Sequence, residues 1–540
     1  MSNILYADLI LANGKIITMD KVDSLTESVA VKNGKILALG PSEELSLLAG
    51  PETKVIDLNG KTVMPGIIDS HTHPSHIASR FLEIDCRSPP VKNISEILGK
   101  IEERSMKLTP GEWIRGANFN DSKLREKRHI TREELDGVSP ENPVFIVADT
   151  GHQAIVNSVA FKVAGIDEGT PNPPGGEIEK DFEGKLTGLL YENAIELVHR
   201  YVPEYSIEEL KESYRKVVAQ FSEWGITTTH NASSHRNGIR AYKQLIDEGT
   251  RQLRMRLMMS VNRERQGDVL DALETAGIES GFGDDWLQVM SVKIMGDGSG
   301  AGGTCCVYEP QNRGPKGLGL WITEPEQMEK LVIKSHKAGL RVSIHSIGDR
   351  GIDVALDCIE KAQKDYPRND MRHRIEHNSL CTPLQLKRIR ELGVTPSSSI
   401  GYMYGLGEQY VENFGLERSR WLHPHKTMKE MGIVAGGNND CPVTYYSPFV
   451  QIYEAVTRKT VNGNVIGPEE SISILDAIKV YTWNGAFLGK DEGKLGSIEP
   501  GKLADMIILD RDILEIPSNE IKDVKVLTTI VDGKIVYAKK

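Results

Sequence analysis

The segment Pro65-Gly66-Ile67-Ile68-Asp69-Ser70-His71-Thr72-His73 runs an apolar stretch into two histidines one residue apart. Alternate side chains of a β-strand share a face, so His71 and His73 would point the same way, with Asp69 beside them. Two imidazoles on one face at a strand end can reach a single metal ion, and Asp69 could position a ligand or a water. An isolated His-x-His pair is more often part of a solvated loop. Here Pro65-Gly66 ahead of a four-residue apolar entry argues for a strand, and residues farther along must decide.

Four further residues have the right chemistry. Lys293 lies in an apolar run at 291–295, His345 ends one at 342–345, His377 ends one at 374–377, and Asp440 follows one at 433–437. Neutral imidazoles with a carboxylate are a normal set for zinc, with manganese or iron as alternatives. Each residue has a plainer reading: His377 as a satisfied core histidine, Asp440 as a helix cap, Lys293 as an ion-pair partner of Asp297. Their recurrence at strand ends, in order, favours metal. A lysine ammonium would repel a cation. Carbon dioxide can convert the neutral amine into a carbamate, an N6-carboxylated lysine whose oxygens could bridge two metals about 3.5–4 Å apart.

Such residues need a scaffold that gathers strand ends. Strand-like runs occur at 67–71, 226–230, 255–260, 291–295, 342–345, 374–377, 394–398 and 433–437, separated by helical stretches. That is the alternation and the number of a (β/α)8 TIM-type barrel, whose sites form at the C-terminal strand ends. One helix is predicted from about 207 to 224: Ser206 and Glu209 form a capping box, Leu210, Tyr214, Val217, Val218 and Phe221 a stripe, and Gly225 a stop. A second should run from near Thr323 to Gly339. Residues from about 80 to 205 are too many for a barrel connection and read as an insertion after the first strand. Both ends are β-rich. Asn13-Gly14, Asn33-Gly34, Asn59-Gly60 and Asp532-Gly533 are hairpin signals, and 495–498 and 504–509 look strand-like. The expected organisation is a small β-sandwich built from residues 1–60 and 490–540, and a barrel over 61–489.

The net charge of −11 argues against nucleic acid or an anionic membrane as partner. The 540 residues, 39% hydrophobic and 26% charged, suffice for a large core. Cys86, Cys305, Cys306, Cys358, Cys381 and Cys441 have no C-x-x-C spacing, so neither a zinc ribbon nor a disulfide framework is expected. Residues 1–8 lack the marks of a signal peptide, no run is long enough to span a bilayer, and the cytoplasm is the default. Homo-oligomerisation is left open, and no residue is assigned to an organic cofactor.

The chain resembles the metal-dependent amidohydrolase superfamily over nearly its whole length, and within it the N-substituted formamide deformylase-like branch. The resemblance rests on the 65–73 segment and on Lys293 to Thr304 with Asp297-Gly298-Ser299. It extends to His345-Ser346-Ile347-Gly348-Asp349 and Arg374-Ile375-Glu376-His377. Asn439-Asp440-Cys441-Pro442-Val443 is similar to a Ser-Asp-x-Pro-Val ending, with Asn439 in place of serine. Pro500-Gly501-Lys502-Leu503-Ala504-Asp505 resembles the return into the β-sandwich, and Gly151-His152 with Asn157-Ser158 a motif of the branch's insertion. The resemblance implies one or two divalent ions on His71, His73, Lys293, His345, His377 and Asp440. It implies attack of metal-bound hydroxide on the carbon of a small amide, N-acyl or N-formyl substrate. Asp440 would handle the proton, and His152 would be either an oxyanion or substrate contact or a structural residue.

Two other functions compete. A metal-dependent deaminase of an aminated heterocycle would carry a proton-shuttling glutamate three positions after the fifth-strand histidine; here that position is Gly348. A non-catalytic assembly protein on the same scaffold would have lost ligands, yet all six are present. Trp113, Tyr191, Tyr402, Tyr404, Trp421, Tyr445 and Tyr446 could line a substrate pocket or simply pack. Cys305 and Cys306 read as buried thiols or pocket wall.

Overall fold

In the computed structural model, residues 6–88, 90–261, 268–312 and 317–539 are described, and counts of elements refer to these residues. Eight parallel strands form one sheet in sequence order: Ile67–Thr72, Ile226–Ser234, Arg254–Ser260, Leu287–Met295, Val342–Ser346, Arg374–His377, Thr395–Ser398 and Gly436–Gly437. The first and last are joined across the seam. Ser70 Oγ donates to Gly437 O at 2.9 Å, Asp440 N–H to His71 O at 3.1 Å, and His73 N–H to Cys441 O at 2.8 Å. The eighth strand is shorter than the sequence pattern predicts. A Cβ on Gly436 would meet Ser70 of the first strand at 2.9 Å and Leu488 at 2.8 Å, so glycine lets these strands approach, and one on Gly437 would meet Tyr481 at 2.6 Å.

Helices cover the barrel as the periodicity requires. The helix Ile207–Glu223 has the Ser206/Glu209 capping box, buries Leu210, Tyr214, Val217, Val218 and Phe221, and stops at Gly225 with φ of 77°. The second predicted helix is Pro325–Lys337, followed by Gly339 with φ of 75°.

The two β-rich ends interleave. Lys35–Gly40, Ser28–Lys32, Leu9–Ala12 and Lys54–Asp57 form one sheet. Lys534–Ala538, Val526–Val531, Met506–Leu509, Thr62–Pro65, Lys15–Ile17 and Leu25–Thr26 form the other. Their shared core mixes Leu9, Val29 and Val63 with Met506, Ile508 and Ile530. Two of the four hairpin expectations need correction. Asn33-Gly34 and Asp532-Gly533 do close hairpins between antiparallel strands. Asn13-Gly14 and Asn59-Gly60 instead carry the chain from one sheet to the other, because the runs flanking each pair with different partners. Left-handed Asn13 (φ 60°) and Asn59 (φ 49°) turn the chain whichever sheet receives it. The 495–498 stretch is not a strand; Ile498 packs into the sandwich core and its N–H donates to Thr18 O at 2.7 Å.

Between the first two barrel strands the chain builds its own sheet, in the order Gly176–Lys180, Leu186–Glu192, Gln153–Val156, Val144–Ala148, Ile114–Phe119 and Ile84–Asp85. No helix is long and apolar enough to cross a membrane among the described residues.

Sandwich and barrel are joined by a buried ion pair. Arg254, entering the third barrel strand, donates from Nε to Asp505 Oδ2 at 2.7 Å and from Nη2 to Oδ1 at 3.0 Å, and lies over the Trp286 ring. Asp505 Oδ1 also accepts the Asp532 N–H at 2.9 Å. D505A should therefore cost about 3–5 kcal/mol by leaving a guanidinium buried without its carboxylate. The apolar pair R254M/D505L should recover much of the loss. Thermal unfolding of both variants checks this, and an equal loss in single and double variants would show that the ion pair is not the joint.

Candidate metal centre

The site sits where the C-terminal ends of the barrel strands converge. His71 Nδ1 is 2.5 Å from Glu376 Oε2, so this nitrogen carries the proton and Nε2 turns its lone pair inward. Glu376 is in turn gripped by Arg374, Nε to Oε1 at 2.7 Å and Nη2 to Oε2 at 2.9 Å. Arg374 also donates to Ser70 O and His230 Nδ1 at 2.7 and 2.8 Å. His73 Nδ1 donates to Ala232 O at 2.7 Å, which again leaves Nε2 as the free donor atom.

Those two Nε2 atoms face one oxygen. Asp440 Oδ1 is 3.4 Å from His71 Nε2 and 2.9 Å from His73 Nε2. His71 Nε2 and Asp440 Oδ1 are buried and have no hydrogen-bond partner, because the close approaches lack the necessary alignment. Ligand atoms around a tetrahedral ion with bonds of about 2.0–2.1 Å lie about 3.3 Å apart. The three donors, all within 4.8 Å of one another, thus fit a first-row divalent cation, and a cation between them would resolve the confrontation of buried lone pairs. Asp440 itself has φ of 47°, and the next helix begins only at Pro448, so it is not a cap.

The remaining predicted residues lie alongside. The ring centroid of His377 is 4.7 Å from that of His71 and 4.5 Å from that of His345. His377 Nδ1 is 2.8 Å from Ser399 Oγ, and His345 Nε2 is 3.2 Å from Gly298 O, leaving the opposite nitrogen of each ring for a ligand. Lys293 is buried in the fourth strand, between Ser260 and Ser343 of the flanking strands. Asp297 accepts N–H groups from Cys306, Ile347 and Gly348 at 2.9–3.0 Å, and so ties the loops after strands four and five together.

Electrostatics keep the imidazoles available. Burial pushes His71 down to about 4. Burial likewise drives His345 and His377 well below their ordinary value. For Asp440, burial acts upward, but His73, His71 and Tyr402 together hold the carboxyl below its usual range. Burial raises Asp297 to about 7 against the pull of its three amide donors.

The insertion contributes His152, whose ring centroid is 5.3 Å from that of His345. Its Nδ1 is 2.7 Å from Glu192 Oε2, and although burial opposes it, the Glu192 charge raises His152 above its ordinary value. Glu192 also receives the Thr304 hydroxyl at 2.5 Å. Sequence reasoning missed Glu192, which lies 40 positions from His152. It also left Tyr402 undecided: the Tyr402 hydroxyl donates to Asp440 Oδ2, and its ring stacks on His377. Among the other aromatics, Trp113 packs in the insertion core and Tyr445 lies under Arg87 and against Trp224. Tyr191 lines a pocket of about 100 Å³ between the insertion and the barrel, together with Asn120, Asp149, Gln153 and Gln409. All six cysteines are free and buried, Cys305 and Cys306 included.

Comparison with known proteins places the chain. Residues 54–537 match the model of the Amidohydrolase family. An N-substituted formamide deformylase of Arthrobacter pascens is 30% identical over 98% of both chains. A metal-dependent hydrolase from Pyrococcus horikoshii, described as uncharacterized, superposes with a TM-score of 0.76 at 27% identity, covering 95% of this chain and 99% of that one. A similar hydrolase from Pyrococcus furiosus gives 0.73 at 28%, covering 94% and 100%. With a match across most of its length, the chain belongs to the Amidohydrolase family.

Proposed function

We propose that this hydrolase cleaves the carbon–nitrogen bond of a small amide, with N-formyl and N-acyl compounds first among candidates because of its formamide-deformylase relative. The observation that carries the reading is the pair of buried, unpartnered lone pairs at His71 Nε2 and Asp440 Oδ1, with His73 beside them. His71, His73 and Asp440 would hold one ion, zinc by preference and manganese or iron as alternatives, and His345 and His377 would hold a second. A divalent ion there supplies Lewis acidity, lowering the pKa of water to about 7 and polarising the carbonyl.

The chain's own groups do the rest. Asp440 takes a proton from the attacking water and passes it to the leaving nitrogen, while the Tyr402 hydroxyl orients the carboxylate through Oδ2. His152, whose protonated form Glu192 favours, stands beside His345 as a donor to the negative charge that develops on the carbonyl oxygen. Lys293 is assigned as a carbamate: carbon dioxide adds to neutral Nζ with loss of one proton, giving an anion that offsets repulsion between two cations. The buried free thiols fit a reducing compartment, the cytoplasm. The deaminase reading is disfavoured at the position where its glutamate would stand: a Cβ on Gly348 would lie 1.9 Å from Cys306 O, so no side chain fits.

Two variants test this. D440N should keep its metal, measured by elemental analysis, and lose about 10²–10⁴-fold in kcat on an N-formyl amide; near-normal kcat with normal metal would reassign the base. K293A should lower metal content and activity together, by at least the ~10–100-fold that loss of even an outer partner costs. Added formate or acetate should partly restore both by occupying the vacated space. An unmodified lysine beside one fully occupied metal in a high-resolution map would remove the bridging role but not the hydrolase.

A further inference from the structure

The helix Pro74–Arg80 follows His73 directly, and its last residue turns a guanidinium back over the mouth of the barrel. Arg80 Nη1 donates to Asn118 Oδ1 in the insertion and, at 3.4 Å, to Pro442 O in the loop after the eighth strand; Nη2 approaches Asp149 O at 3.5 Å. These acceptors are all neutral. The nearest carboxylates, Glu83 and Asp149, act on Arg80 through space, and both are engaged elsewhere. Asp149 Oδ2 accepts from Asn120 at 2.8 Å and Lys123 at 3.2 Å, and Glu83 Oε1 accepts the Tyr205 hydroxyl at 3.4 Å. Among the described residues, no carboxylate makes an ion pair with Arg80.

That is unlike the arginines inside the barrel. Arg254, Arg256 and Arg374 each meet a carboxylate at 2.6–2.7 Å. Arg341 has only carbonyl partners, but its three hydrogen bonds are 2.6–3.1 Å long. A purely structural cross-link would resemble Arg341. Arg80 instead spends two of its three contacts at 3.4–3.5 Å, and its side chain is half-buried rather than enclosed. A guanidinium presents a planar fork of donors matched to a carboxylate. Pro442, which it touches, is two residues from Asp440, at most about 7 Å of chain.

Building on the hydrolase reading, we infer that Arg80 is a substrate-recognition residue and that the preferred amide carries a carboxylate, which Arg80 binds while the scissile bond lies over Asp440. The substrate class is thereby narrowed to N-acyl or N-formyl compounds with an acidic far end.

The test compares matched substrates on metal-loaded enzyme: an N-formyl or N-acyl amino acid and its uncharged methyl ester. Wild type should favour the acid by about 10–100-fold in kcat/KM, the worth of one charged hydrogen-bonded contact. R80Q should bring that ratio close to one, chiefly through KM for the acid, with kcat for the ester unchanged; R80K should retain part of the preference. The ratio is taken within one preparation, so a fall in folded fraction does not alter it, and the wild-type ratio alone decides the matter if R80Q does not fold. Equal rates for acid and ester in wild type overturn the inference while leaving the hydrolase standing. Absence of amide hydrolysis by wild type overturns both. A change in inhibition by formate in R80Q, with the acid-to-ester ratio intact, would make Arg80 a product contact and likewise overturn it.

Discussion

The site depends on closure of the eight-stranded sheet between its first and last members. Ser70 and Gly437 are 367 residues apart and are joined by one hydrogen bond. That seam sets His71 and His73 against Asp440, because the backbone of Asp440 hangs on His71 O and that of His73 on Cys441 O. The donor atoms therefore inherit their spacing from main-chain hydrogen bonds rather than from flexible side chains. Gly436 helps permit it, since a Cβ there would meet Ser70 of the first strand.

Beneath the site, buried charge is handled by pairing. Arg374 binds Glu376, Glu376 orients His71, and the same guanidinium holds Ser70 O on the seam strand. Breaking any link would leave a charge buried without its counterpart, which costs more than the pair contributes. Arg256 with Asp491 and Arg254 with Asp505 extend this arrangement to the segment that returns toward the sandwich. Position of the ligand and attachment of the second domain thus rest on the same kind of interaction.

The insertion supplies what the barrel lacks. His152 and Glu192 come from it and meet the barrel at His345 and Thr304. Asn118 and Asp149 come from it and meet Arg80. On the proposed reading, the donor for developing charge and the rim around Arg80 are thus carried by an element separate from the candidate metal donors.

Local pattern was enough for the barrel strands, the Ser206 capping box and the His-x-His face, since periodicity and capping are decided within a few residues. Six chemistry-bearing residues could be named because strand ends were visible and barrel sites gather there. Tertiary structure decided what depends on distant partners. Asn13-Gly14 and Asn59-Gly60 signal a turn, but the choice between hairpin and sheet crossing belongs to the strands that receive the chain. Tyr402 is an aromatic like its neighbours until the fold brings its hydroxyl to Asp440, and Glu192 is an ordinary acid until it faces His152. Arg80 ends an unremarked helix, and only the convergence of insertion and final barrel loop surrounds its charge with neutral oxygens. Hydrogen bonding and charge pairing act through space, so a residue's role is readable from sequence only as far as its partners are close in the chain.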